Sequence, residues 1–114
     1  MEDVNLRIPP HDEEAEVSLL GAMLLSKDAI TSAVEILNPG DFYSGAHSDI
    51  YIGILNLYNL NQPVDTITVG DELKKLKTFE KTGGYTYLST LTSSVGAVGN
   101  APYYAKIVKE KSIL

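Results

Sequence analysis

The sequence predicts an all-α fold, a compact bundle of about six helices. Two observations support this: apolar residues recur at helical spacing in one segment after another, and the segments are punctuated by capping residues and by Pro, Gly and Asn breaks. At 114 residues the chain suits one domain, which can hide roughly two thirds of the surface its unfolded form would expose. Its expected parts are an extended lead over 1–10, a helical bundle over 11–99, and the start of a last helix over 100–114.

Pro9-Pro10 stiffens the lead, and Asp12 can cap a first helix that runs to about Leu25. Glu13, Glu14 and Glu16 in its first turn suit the positive end of the helix dipole and read as a solvated helix start. Ser26 is a natural cap for a second helix, where Ile30, Ala33, Val34 and Leu37 keep helical spacing until Asn38-Pro39-Gly40 breaks it. Phe42 and Tyr43 follow as an aromatic anchor. A third helix from about Ala46 to Leu60 places Ile50, Ile54, Leu57 and Tyr58 on one stripe and ends at Asn61-Gln62-Pro63.

Asp65 caps a fourth helix with Val69, Leu73 and Leu76 inward and Lys74, Lys75 and Lys77 near its negative end. Gly70 weakens it by about 1 kcal/mol relative to Ala. Gly83-Gly84 introduces Tyr85 to Thr92, a stretch of β-branched and aromatic residues that periodicity alone assigns equally to strand or helix. Ser93 to Gly99 reads as a flexible connector. Asn100 then caps a last helix that tolerates Pro102 in its first turn and has Tyr103, Tyr104, Ile107, Val108 and Leu114 as its apolar face. No Gly, Asn or Pro closes that helix at Ser112-Ile113-Leu114, so it reads as cut short, and the chain as a fragment. Leu20, Ile54 and Leu73, each on the apolar stripe of a different helix, are expected in the core.

Composition narrows the function classes. With 44% hydrophobic and 21% charged residues the chain is an ordinary globular one. It has no cysteine, which excludes a disulfide framework and any thiolate ligand or nucleophile and leaves the cytosol as the default compartment. Its longest strongly apolar run, Leu19 to Leu25, is far short of the roughly 20 residues that cross a bilayer, and the acidic opening Met1-Glu2-Asp3 is unlike an export signal. A net charge of −6 argues against autonomous nucleic-acid binding, which needs clustered Lys and Arg to displace counterions. Proteins are the expected partners.

None of the motif-like clusters reads as an active site. Gly40-Asp41-Phe42-Tyr43-Ser44-Gly45 has phosphate-loop glycine spacing, but Ala46-His47 stand where a Lys and a Ser or Thr are needed. His11 with Asp12, Glu13, Glu14 and Glu16 could suggest a metal-dependent hydrolase, yet consecutive residues at a helix start diverge and no second His falls at ligand spacing. His47 has no nucleophile or paired carboxylate beside it in any recognisable motif and reads as a hydrogen-bonded packing residue. Lys74, Lys75, Lys77 and Lys81 are offset by Asp71, Glu72 and Glu80. Tyr85, Tyr87, Tyr103 and Tyr104 divide between core packing and partner contact.

Arg7-Ile8-Pro9-Pro10-His11-Asp12-Glu13-Glu14-Ala15-Glu16, followed by Leu19-Leu20-Gly21, resembles the opening of the DnaB-type replicative DNA helicases. Further elements agree in order: Asp41-Phe42-Tyr43 with His47, Pro63-Val64-Asp65 with Thr68, Gly83-Gly84 with Tyr87-Leu88, and Asn100 with Tyr103-Tyr104-Ala105-Lys106-Ile107-Val108. The resemblance implies an all-helical amino-terminal domain, with residues 85–92 helical. In the family this domain pairs into dimers, forms the collar of a hexameric ring, and receives primase and in some systems a helicase loader. The RecA-like motor is absent from this chain, so ATP and Mg²⁺ are expected only there and no catalytic, cofactor or metal residue is expected here. Tyr87, Tyr103, Tyr104, Ile107, Val108, Lys111 and Leu114 are the candidate partner and assembly residues. The fragment is expected to be a monomer or weak dimer, because the hairpin that pairs two protomers would lie beyond its last helix. Gly96 and Gly99-Asn100 replace a Pro and an Ala-Asn common in the family's connector, which should loosen it, and Val17 and Pro102 stand where Gln and Glu are common. A free-standing helical adaptor or regulator of the replication machinery is the alternative from a different class.

Overall fold

The computed structural model describes residues 8–114; the first seven residues of the lead, Arg7 among them, lie outside these. Six α-helices follow one another: α1 Glu13–Leu25, α2 Lys27–Val34, α3 Gly45–Asn59, α4 Thr66–Lys75, α5 Gly84–Ser93 and α6 Ala101–Ser112. Short 3-10 turns occupy Pro39–Asp41 and Val98–Asn100, and no strand occurs among the described residues. The segment that periodicity left open, Tyr85 to Thr92, is helical.

α1 is the central post. Asp12 caps it by accepting from the Ala15 N–H at 3.0 Å, and every position from Leu19 to Leu24 is buried. α2, α3, α5 and α6 all pack around it. A helix buried all round has no polar face left to show, which is why its apolar run is continuous. Gly21 makes one of these contacts possible: a Cβ there would lie 2.1 Å from the Leu91 carbonyl oxygen, so α5 backbone lies directly on α1.

α2 is shorter than its apolar spacing suggested. The amides of Ile36 and Leu37 both donate to the Ala33 carbonyl, and this tight last turn delivers Leu37 to the core from outside the helix. Asn38 is extended (φ −102°, ψ 160°), as the residue before a proline prefers. α3 and α4 close alike: Asn61 (φ 58°) and Lys77 (φ 63°) adopt the left-handed conformation, while the Gln62 and Thr78 amides reach back to the carbonyls of Leu57 and Leu73. Leu76, expected inward, is exposed at the C-cap because the chain turns out of the helix there. Gly70 is more than a weak helix former: a Cβ at that position would strike the Tyr85 ring, so the glycine is the seat for that side chain.

The last helix is rotated relative to its predicted face. Ala101, Ala105 and Val108 are its buried residues, whereas Tyr103 and Leu114 are exposed. Two alanines bring α6 close to α1, and the bulkier tyrosines flank the contact instead of filling it. The connector before α6, expected to be loose, is anchored: Val95 and Val98 pack against the core, and the Ala97 amide donates to the Tyr104 hydroxyl at 3.2 Å. Asn100 occupies the N-cap position without a side-chain capping bond. Residues 82–105 contain no charged side chain, and along α5 the hydroxyls of Thr90 and Ser93 and, just past its end, of Ser94 donate to carbonyls four residues back.

Leu20, Ile54 and Leu73 are fully buried, as their spacing predicted. Truncating any of them to Ala is expected to lower the unfolding free energy by about 2–5 kcal/mol. Gly21→Ala should cost about 1–3 kcal/mol by overpacking, a loss that helix propensity would never suggest. Lys77→Gly, by relieving a left-handed lysine, should instead stabilise by about 0.5–1 kcal/mol. Urea denaturation of the five variants and the parent measures all of this.

Candidate interaction surface

Most of the candidate partner residues lie along the two flanks of α6. On one side Tyr104 and Ile107 join Val17, Ser18, Ser94 and Gly96 around a hollow of about 640 Å³, with Asp12, Glu13 and Glu14 at its acidic edge. On the other, Val108, Lys111 and Leu114 face Pro9, His11 and Tyr43 across a hollow of about 360 Å³. Tyr103 projects from the helix, 65% exposed, while Val108 is only 2% exposed and belongs to the core. α6 is tied to the preceding chain where Lys109 donates to Asp41 at 3.2 Å and Ser112 at 2.7 Å. Burial alone would raise the Asp41 carboxyl, but the hydrogen bonds from Ser112 and the Asn38 amide, with the Lys109 ammonium, outweigh it and hold the group below the usual carboxylate range.

Tyr87 lies elsewhere, at the end of a buried polar chain. Glu16, expected to be solvated with Glu13 and Glu14, is 2% exposed. It stands three and four positions before Leu19 and Leu20, on the side of α1 that α3 covers, and that position on the apolar stripe is the signal that could have placed it. One carboxylate oxygen accepts from the Tyr43 amide at 2.8 Å; the other meets His47 Nδ1 at 2.7 Å. His47 Nε2 in turn meets the Tyr87 hydroxyl at 2.6 Å. Four chain segments are thereby joined: α1, the turn after Asp41, α3 and α5.

The arrangement resembles a proton relay, but its geometry closes it. His47 is 1% exposed and both of its ring nitrogens are engaged, so no nitrogen is left to accept a proton from a substrate. The Ser44 hydroxyl is committed to the His47 amide as the α3 cap. His11, the other histidine, stacks on Tyr43 with ring centroids 3.9 Å apart and bonds the Pro9 carbonyl through Nδ1. Among the described residues no cluster of His, Asp and Glu could hold a metal ion, and no helix is long and apolar enough to cross a membrane. In the basic stretch, Lys75 pairs with Asp71 and Lys81 with Asp49, and Lys74 lies over the rings of Phe79 and Tyr85 at 4.9 and 5.0 Å.

The model of the DnaB-like helicase N-terminal domain matches residues 8–110. The chain belongs to that family. It is 53% identical over 108 residues, 95% of its length, to the replicative DNA helicase DnaB of Leifsonia xyli subsp. xyli, of which it spans 24%. To the replicative DNA helicase DnaB of Mycobacterium leprae it is 50% identical and spans 18% of that protein; to the replicative DNA helicase DnaC of Bacillus subtilis it is 46% identical and spans 24%. The chain thus corresponds to about a quarter or less of these relatives. The crystal structure of the N-terminal domain of DnaB helicase from Mycobacterium tuberculosis superposes with a TM-score of 0.90 at 50% identity, covering 92% of this chain and 76% of that one. The family match is to the amino-terminal helical domain, without the ATPase motor.

Two phenols inside the bundle carry a pH signature. Burial pushes Tyr51, whose hydroxyl donates to the Leu37 carbonyl at 2.9 Å, up to about 12, with the Asp41 charge adding to it. Burial, then the charges of Glu13 and Glu16, raises Tyr87. Both groups hold their protons longer in the folded state than in the unfolded one, where a phenol titrates near 10. Stability from this source is therefore intact below about pH 10 and is lost as pH rises toward 12, by about 1.4 kcal/mol per pH unit for Tyr51. Urea unfolding at about pH 9 and about pH 11.5 should show the fall, and Tyr51→Phe should flatten it. Glu16→Ala, which strips the buried histidine of its partner, is expected to cost about 3 kcal/mol or more, against less than about 0.5 for Glu14→Ala on the surface; the same denaturation series reads both.

Proposed function

We propose that the chain is the amino-terminal collar of a hexameric replicative DNA helicase, an assembly and docking domain that helps order the ring and receives primase, a helicase loader or both. It works in the cytoplasm. ATP, Mg²⁺ and DNA translocation belong to a motor carried by another part of the whole protein, and this domain itself performs no catalysis. The observation that carries the reading is the match of 95% of this chain, at 53% identity, to 24% of a protein named as a replicative DNA helicase.

The physical character of the surface supports it. The polar constellation that most resembles catalytic machinery is closed on itself, and the balance of charge is acidic, which suits contact with proteins better than with a phosphate backbone. Both flanks of α6 combine apolar lining with charged edges, the composition of a non-obligate interface. On α6 and just past it the exposed large apolar residues are Tyr103, Ile113 and Leu114, too few on that helix to supply the roughly 1,200–2,000 Å² that a stable dimer buries. The isolated chain is therefore a monomer or a weak dimer, and tight pairing needs more of the protein.

Calorimetric titration of the purified chain with primase from the same source should show saturable binding, weakened at least about tenfold by one or more of Tyr103→Ala, Ile107→Ala and Leu114→Ala. Unchanged affinity in all three moves docking to another surface, and failure to bind either primase or a loader removes the docking role. Alongside, the chain should show no ATP turnover, bind duplex DNA no tighter than about 10 μM at physiological salt, and sediment chiefly as a monomer.

A further inference from the structure

A third hollow lies away from α6, between the start of α2 and the turn that joins α3 to α4. It holds about 220 Å³ and is lined by Lys27, Ile30, Tyr58, Asn61, Gln62, Pro63 and Val64. Small-molecule and cofactor sites usually run to about 300–1,000 Å³, so this one is small for a cofactor and suited to a single large side chain. Ile30, Tyr58, Pro63 and Val64 make its wall apolar.

Three of its polar groups, on Lys27, Tyr58 and Asn61, are tied by hydrogen bonds. The Tyr58 hydroxyl is bonded to the Thr31 hydroxyl at 3.0 Å, which sets the ring as one wall. Asn61, in the left-handed conformation that ends α3, accepts from the Lys27 ammonium at 3.3 Å and holds that charge at the rim. Asn61 offers an amide oxygen, not a carboxylate, so the lysine charge is oriented without being neutralised. Among the described residues Lys27 makes no ion pair, and Asp28, the nearest acid in the chain, does not line the hollow. Leu25, two residues before Lys27, and Leu60, directly before Asn61, are 56% and 68% exposed.

We propose that this hollow docks a segment of a partner protein in which a large apolar side chain adjoins a carboxylate. The apolar side chain enters against Ile30, Tyr58 and Val64, and the carboxylate meets Lys27. An apolar anchor in a fitted cavity supplies most of the affinity, while the ion pair at the exposed rim sets sign preference. The site shares no residue with the two hollows beside α6, so its failure would leave the docking role proposed for α6 untouched.

The test uses the ¹⁵N-labelled chain and the peptide acetyl-Gly-Ser-Phe-Asp-amide as probe, followed by amide chemical shifts. Saturable shifts at Lys27, Ile30, Tyr58 and Val64 are expected. Replacing the peptide's Phe with Ala should weaken binding about tenfold or more; replacing its Asp with Asn, or Lys27→Gln in the protein, about two- to fivefold. Lys27 is exposed, so an unchanged spectrum of the unliganded variant verifies its fold. Absence of shifts at millimolar peptide, shifts confined to other residues, or binding indifferent to both Lys27→Gln and the Asn peptide would overturn the proposal. So would tighter binding of oligothymidylate at the same amides, which would make the site one for nucleic acid.

Discussion

The structure depends first on α1 having no solvent-facing side from Leu19 to Leu24. Each of α2, α3, α5 and α6 finds its place by burying a stripe against that helix, so the bundle is arranged around one element instead of being assembled from independent pairs. Such an arrangement demands small residues wherever two backbones must meet. Gly21 answers that demand toward α5, and Ala105 on α6 does so in the same spirit. The demand also explains why the deepest helix has the plainest apolar sequence: propensity and burial favour the same residues there.

The Glu16–His47–Tyr87 chain is the exception inside that core. A buried carboxylate is tolerated only when its oxygens are satisfied, and here an imidazole and the backbone amide of Tyr43 do so. Among the described residues no buried side-chain polar atom lacks a partner. The cost of burying this polar group is offset by geometry: the turn after Asp41, which has no helix to order it, is fixed by the hydrogen bond from the Tyr43 amide to a rigid helix. Next to that turn Tyr43 stacks on His11 and Asp41 bonds the end of α6, so one buried acid organises the surface around a single hollow.

Much of the fold was legible in the sequence, and the reasons differ by element. Asp12 and Asp65 cap the helices they were expected to cap, because a cap is a local bond between residues two or three apart. Leu20, Ile54 and Leu73 are core because period alone places them. What escaped was set by a partner far along the chain. Glu16 looks solvated among its acidic neighbours until His47, 31 residues later, is brought beside it. The apolar face read for α6 took in Tyr103 and Leu114, which are exposed, along with Val108, which is buried; it passed over Ala101 and Ala105, too small to attract notice, which close packing selects. Tyr85 to Thr92 could not be told from a strand locally; its helix is fixed by the seat at Gly70 and the contact at Gly21. The interface itself was legible only as a list of candidates, since exposure alone does not say which of Tyr103, Tyr104 or Lys111 a partner touches.

The uncharged stretch from 82 to 105 has an entropic consequence. Ordering a surface lysine or glutamate under a partner costs roughly 1.5–2 kcal/mol of lost rotamer freedom. On α5 the short hydroxyl side chains of Thr90 and Ser93 are already tied to their own helix backbone. Covering that face would freeze almost nothing that is not frozen already, and would strip no counter-charge of its hydration.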